Sequence, residues 1–382
     1  MNTNMKNDSF LKKTQLLLQL MISALFCCSA AAQNPIPMEV SHWEFKDKTA
    51  EFITYKGVKA MKILLADKQI ILKGHQFTNG TIEFDVELTD PDHSPFVSFY
   101  FRQQSPQETE CVYLRAGKPN SEKRNDAVQY APFIKGINLW NMLGQYQGPA
   151  NIHIIGWNHI KLVVSGLQLR VYINSLEQPT LEIPRLEGNT IKGSIALDGL
   201  AIFANLMIKP DKTENLPAVA APDLTNHDAN YLRNWSVSRP HWLNDGQELA
   251  KKDLPADTTI WEPIHAERRG LINITRLYGA PNDKKRYVWL KTTIHSDKEQ
   301  KVNMQLGFCN DVWVYINGEL LYLDKNTYWS PMRKNPDGRC DLANSSFNIP
   351  LKAGENQLLI GLANNYYGWG IIARLATLES IE

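Results

Sequence analysis

Between residues 77 and 208 the chain runs as short segments in which apolar and polar side chains alternate with period two, a pattern that admits little besides stacked β-sheets. Ile82, Phe84, Val86 and Leu88 point one way while Glu83, Asp85 and Glu87 point the other, as in a strand with one face in a core. Residues 157–174 read as a hairpin: Ile160, Leu162 and Val164 alternate, Ser165-Gly166 turns the chain, and Leu167, Leu169, Val171 and Ile173 alternate again. Residues 96–102, 111–115 and 191–197 add strands, and 201–208 reads as a more fully buried one. Long helical periodicity is absent, so the region is expected to be all-β.

The remainder extends this reading to an all-β chain of two β-sandwich (jelly-roll) domains in tandem after a signal peptide. At 382 residues the length exceeds that of an ordinary single domain. Residues 1–32 have the layout of an export signal: Lys6, Lys12 and Lys13, an apolar run over 16–26, then Ser29 and Ala30 to Ala32. The expected location is periplasmic or extracellular. The apolar run is short for a membrane span, and no other segment approaches the roughly 20 apolar residues a span needs. Residues 33–209 form the first domain. Pro210, Asp211, Pro217 and Pro222 mark 210–228 as a linker, and 229–382 forms the second domain, with strands over 286–293, 301–308, 312–316 and 356–363. Asn317-Gly318 between Tyr315 and Leu320 is a strong hairpin signal.

A net charge of +1 with mixed signs along the chain implies no basic surface for nucleic acid. After export three cysteines remain, too few for a disulfide framework. Cys309 and Cys340 either pair, leaving Cys111 as a thiol, or all three are packed as small apolar residues. No cofactor is expected unless calcium, for which Asp90, Asp92 and Asp337-Gly338 offer loop oxygens without a calcium-loop pattern.

Three stretches carry a resemblance: Gly80-Thr81-Ile82-Glu83-Phe84-Asp85-Val86, Trp157-Asn158-His159-Ile160-Lys161-Leu162 and Leu169-Arg170-Val171-Tyr172-Ile173-Asn174. With them, residues 77–208 resemble the concanavalin A-like lectin and glucanase superfamily and its laminin-G-type relatives. Val112-Tyr113-Leu114-Arg115, followed by Asp126-Ala127-Val128-Gln129-Tyr130-Ala131-Pro132 and residues 136–140, looks like a pattern in uncharacterised secreted bacterial members. The second half is similar to galactose-binding-like jelly rolls attached to glycoside hydrolases, through Asp311-Val312-Trp313-Val314-Tyr315-Ile316-Asn317-Gly318 and Leu351-Lys352-Ala353-Gly354-Glu355-Asn356. These motifs specify folds better than activities.

Residues 113–140 are the sharpest site candidate. Tyr113 and Arg115 share a strand face, Arg102 is placed on that face one strand away, and Asp126, Gln129, Tyr130, Asn138 and Trp140 follow a polar excursion. Aromatic faces pack against a sugar ring while Arg, Asp and Gln reach adjacent hydroxyls. The alternative is a scaffold in which an Arg115–Asp126 ion pair anchors a long loop and Gln129 and Tyr130 satisfy backbone groups. Trp329, Tyr367 and Trp369 suggest a secondary binding surface in the second domain, with Trp369 alternatively plugging the sandwich. For catalysis the acids to consider are Glu83, Asp85 and Asp126. The glucanases of the resembled superfamily carry Glu-x-Asp-x-x-Glu on one strand, whereas here Glu83-Phe84-Asp85 is followed by Glu87, with leucine at 88. The expected function is glycan binding through the concave face of the first sandwich, an oligo- or polysaccharide being the partner. A glycan-cleaving hydrolase or lyase and a structural cell-envelope module are the alternatives.

Overall fold

The computed structural model describes residues 35–376 apart from 91, 94–95, 118–120, 281–283 and 365. The expected export signal lies outside these residues. The regular structure of the described chain is nearly all β-strand, arranged as two sandwiches.

The first sandwich packs a nine-stranded sheet on a seven-stranded one. The strands Ser194–Asp198, Phe96–Ser105, Glu108–Arg115 and Val128–Tyr130 lie side by side in the nine-stranded sheet. The seven-stranded sheet is centred on Asn158–Ser165, Gly80–Leu88 and Ala201–Pro210. The expected hairpin forms with Ile160 opposite Ile173 and Ser165 opposite Gln168. Alternation drives the inward set together: Phe84 stacks on Phe99 at 5.0 Å, and Ile82, Val86, Val112, Leu114 and Leu162 fill the space between the sheets.

The second sandwich pairs a seven-stranded sheet containing Arg286–Ser296, Gly354–Asn364 and Asn310–Ile316 with a four-stranded sheet containing Gln300–Phe308 and Gly370–Leu375. Asn317 and Gly318 both have positive φ and join Ile316 to Glu319, the geometry a two-residue hairpin requires.

From Ile36 onward the chain forms one compact unit. The 210–228 segment lies along the first sandwich: the Leu167 amide donates to Ala218 O at 2.8 Å, the Ala221 amide to Pro184 O at 3.0 Å, and Leu216 is buried. A second joint forms around residues 139–143. Asn141 donates through Nδ2 to Gly368 O at 2.8 Å and accepts the Cys340 amide on its carbonyl at 2.7 Å. Met142 seats against Gly368 and Gly370, where a Cβ would stand 2.5 Å from its Sδ and 2.7 Å from its Cε. Glycine at both positions is what lets the two sandwiches approach closely enough to enclose space between them. Cys111, Cys309 and Cys340 are free and buried.

Candidate functional site

The joint leaves a cavity of about 480 Å³ between the outer face of the nine-stranded sheet and two loops of the second sandwich. Its floor comes from strand alternation. Val112 and Leu114 point into the core, so Cys111, Tyr113 and Arg115 point out, and Ser98 and Tyr100 do the same on the neighbouring strand. Its roof is Tyr328, Trp329, Tyr366 and Tyr367. Trp140 bridges them, its ring 4.8 Å from Tyr328 and 5.6 Å from Tyr367 in edge-to-face contact. The roof loop is fixed by two buried amides: Asn326 donates to Phe308 O at 2.7 Å, and Asn344 to Asn335 O at 2.7 Å and Arg339 O at 2.9 Å.

One end of the cavity is cationic. Arg115 donates to Asp126 O at 2.7 Å, Gln129 Oε1 at 2.6 Å and Tyr113 Oη at 3.0 Å. Gln129 Nε2 donates in turn to Trp140 O at 2.9 Å, tying the guanidinium to the aromatic wall. Asp126 Oδ2 stands 3.9 Å from Arg115 Nε, while Oδ1 accepts from Arg124 Nη2 at 2.6 Å. Asn138 is consumed locally, accepting the Trp140 amide at 2.9 Å and donating to Ala131 O at 3.2 Å. Arg339 lies behind Trp140, 5.3 Å from its ring, and burial lowers its pKa, with the Arg115 charge adding to the effect.

The other end is acidic, through Asp67 and Asp198. Asp198 closes a strand and accepts the Gly199 amide at 2.6 Å and the Lys68 amide at 3.3 Å. Gly199 has a φ of 109°, and a Cβ there would meet Phe96 O at 2.5 Å, so the turn that aims Asp198 requires glycine. Burial, with the Asp67 charge adding to it, pushes the Asp198 carboxyl up to about 6. Sequence reasoning missed Asp67, Asp198 and Tyr328. Their only signal was a single acid or aromatic at a turn, which does not reveal what lies across it.

Of the predicted residues, the structure brings Tyr113, Arg115, Asn138, Trp140, Trp329 and Tyr367 to one cavity. Gln129 is fully buried beneath it and acts through Arg115 and Trp140. Asp126 is engaged by Arg124 at the margin. Four expectations are corrected. Arg102 follows a bulge, where the register breaks between Phe101 and Ser105 and φ is 52°, so it leaves the Tyr100 face and donates to Thr78 O, Asn79 Oδ1 and Gly166 O. Tyr130 points into the core, its hydroxyl 2.6 Å from Glu110 Oε2. Trp369 is fully buried, donating to Gly279 O at 2.7 Å as a plug of the second sandwich. Glu83 and Asp85 lie on the outer face of the opposite sheet, paired with Lys209 and His159. Neither joins Asp126 in an acid pair.

For calcium, Asp90 is taken up by His93 at 2.8 Å. Among the described residues no group of three or more His, Cys, Asp or Glu is placed to hold a metal ion. No described helix is long and apolar enough to cross a membrane.

No protein-family model matches the chain, and no curated protein matches it. Among solved structures it is similar to a carbohydrate-binding module, CBM66, from Bacillus subtilis, at 15% identity and a TM-score of 0.34, over 44% of this chain and 95% of that one. It is also similar to a β-glucanase from Bacillus licheniformis, at 10% identity and a TM-score of 0.32, over 47% of this chain and 97% of that one. A third likeness is to galectin LEC-6 of Caenorhabditis elegans, at 11% identity and a TM-score of 0.28, over 44% of this chain and 99% of that one.

Proposed function

We propose that this is an exported saccharide-binding protein whose site is the cavity between its two sandwiches. The observation that carries the reading is the composition of the walls: aromatic rings from both sandwiches converge on a space of about 480 Å³ that has a guanidinium at one end and carboxylates at the other. Ring faces and edges suit the C–H surfaces of a sugar, and charged groups fixed by their own hydrogen bonds suit its hydroxyls. The volume lies within the range of small-ligand clefts. The sequence resemblance to the lectin and glucanase superfamily points the same way.

Retention of the purified protein on a panel of plant, algal and host polysaccharides, followed by calorimetry with oligosaccharides, tests this. At least one glycan is expected to retain the protein, and Trp329→Ala is expected to weaken that retention, since Trp329 is 76% exposed and its loss leaves the fold standing. Failure to bind any glycan would sink the reading.

One observation favours cleavage of the bound glycan as a second reading. Asp67 and Asp198 face the same cavity, and with its carboxyl near 6 Asp198 keeps a protonated fraction at mildly acidic pH. Release of reducing ends, abolished by Asp198→Asn, would establish it; binding without product would leave the protein a binder.

A further inference from the structure

We infer that the saccharide bound here is acidic, with its carboxylate or sulfate docked at Arg115. This rests on the saccharide reading above and names the class of sugar.

The ground is an imbalance of buried charge. Arg115 lines the cavity and is 8% exposed; three of its N–H groups have acceptors, but Nε–H has none within hydrogen-bonding range, the nearest carboxylate oxygen standing 3.9 Å away. Arg339, 2% exposed, is less satisfied still. Its one hydrogen bond goes to Asp337 O at 3.3 Å, the Asp337 carboxylate is 4.0 Å away and largely solvated, and its Nε has no partner. Arg124 already takes Asp126 at 2.6 Å. Three guanidiniums thus share one close carboxylate and one distant one. Buried charges are ordinarily paired, because removing an ion from water is costly unless an opposite charge replaces the solvent. A planar anion at the cavity end of Arg115 would supply that charge and use the idle donor.

The opposite end explains why the occupant is more than a small anion. Asp198 lies two strands from Tyr113, about 10 Å at ordinary sheet spacing. Asp67 and Asp198 there repel an anion but accept hydroxyl hydrogen bonds. His93, also at the cavity, is held by Asp90, which raises its pKa. The site therefore has polarity, favouring a ligand with acid at one end and hydroxyls at the other, stacked on Trp140 and Tyr367 between them.

The test is calorimetry on the full protein with matched pairs: oligogalacturonate against its methyl ester, uronate-containing oligosaccharides against their neutral parents, and sulfated galactan oligomers against their desulfated forms. At least one acidic member should bind tenfold or more tighter than its neutral partner, with affinity falling as salt rises, and the pair that responds tells carboxylate from sulfate. Arg115→Met should remove the discrimination, and Arg339→Met should reduce it by a smaller factor, giving a second variant if the first does not fold. Equal affinity within every pair would overturn the acidic assignment while leaving the saccharide site intact. Absence of binding by every member, neutral and acidic, would overturn both.

Discussion

The two outer faces of the first sandwich come from the same alternating pattern and have opposite fates. On the seven-stranded sheet every acid of the Gly80–Leu88 strand meets a base: Glu83 meets Lys209 at 2.9 Å, Asp85 meets His159 at 2.7 Å and Glu87 meets Lys56 at 2.7 Å, while Lys161 meets Glu214 at 2.6 Å. Charge is neutralised strand by strand, as cross-strand pairing favours. On the nine-stranded sheet the outward residues are Tyr100, Cys111 and Tyr113, flanked by Arg115 and Asp198, which lie too far apart to pair. That face is roofed by the second sandwich, and its charges keep unspent capacity. A face whose polar groups satisfy one another has little reason to hold a ligand; a face whose buried polar groups do not is prepared for one.

The largest effect should come from removing what holds the roof. Trp369→Ala deletes a fully buried ring in the second sandwich and should cost about 3–5 kcal/mol, read by chemical denaturation. Saccharide binding should fall with it, because Tyr366 and Tyr367 stand on the same loop. A cost near zero would mean that the covered face is not organised by this plug.

Beneath the covered sheet lies Glu110, fully buried and hydrogen-bonded to Tyr130, with Oε1 unpaired. Burial pushes its carboxyl up to about 7. The native state therefore holds a proton that the unfolded chain releases between about pH 4.5 and 7, so this group's contribution to stability is present in acid and lost as pH rises through that window. Glu110→Gln should flatten the loss and raise stability at pH 8 by an amount on the order of 3 kcal/mol, seen in denaturation midpoints across pH. A parallel pH profile for wild type and variant would contradict this.

Trp329→Ala, which strips one aromatic edge from the cavity, should weaken glycan binding by roughly 1 kcal/mol or somewhat more without moving the melting temperature. Smallest of all should be a change on the paired face. Lys209→Ala breaks one partly exposed ion pair and should cost under about 1 kcal/mol, less at high salt, and leave glycan affinity unchanged. An effect of Lys209→Ala on binding equal to that of Trp329→Ala would erase the distinction between the two faces.

Much of the architecture was legible because it depends on local period. The 157–174 hairpin, the Asn317-Gly318 turn and the strand readings at 82–88 and 111–115 follow from alternation and turn chemistry. The same logic found Tyr113, Arg115 and Trp140 and recognised them as companions. It failed at Arg102, where a bulge breaks the period on which face assignment depends. It left Trp369 open between a binding surface and a plug of the second sandwich; the structure makes it the plug, while Trp329 and Tyr367 join the first-sandwich residues.

By itself, then, the sequence determined that this chain is all-β, where its hairpins turn, and which side chains face outward where the alternation is unbroken, because those properties are set by neighbours two to four residues away. Only the tertiary structure decided which outward face is covered. Asn141 and Met142 meet Gly368 and Gly370 more than 220 positions along the chain, and that contact places Tyr328, Tyr366 and Tyr367 over Tyr113 and Arg115 and closes the cavity against Asp67 and Asp198. No periodicity encodes such a meeting. It depends on two glycines leaving room for a methionine, and on buried charges whose lack of partners appears only once their surroundings are assembled.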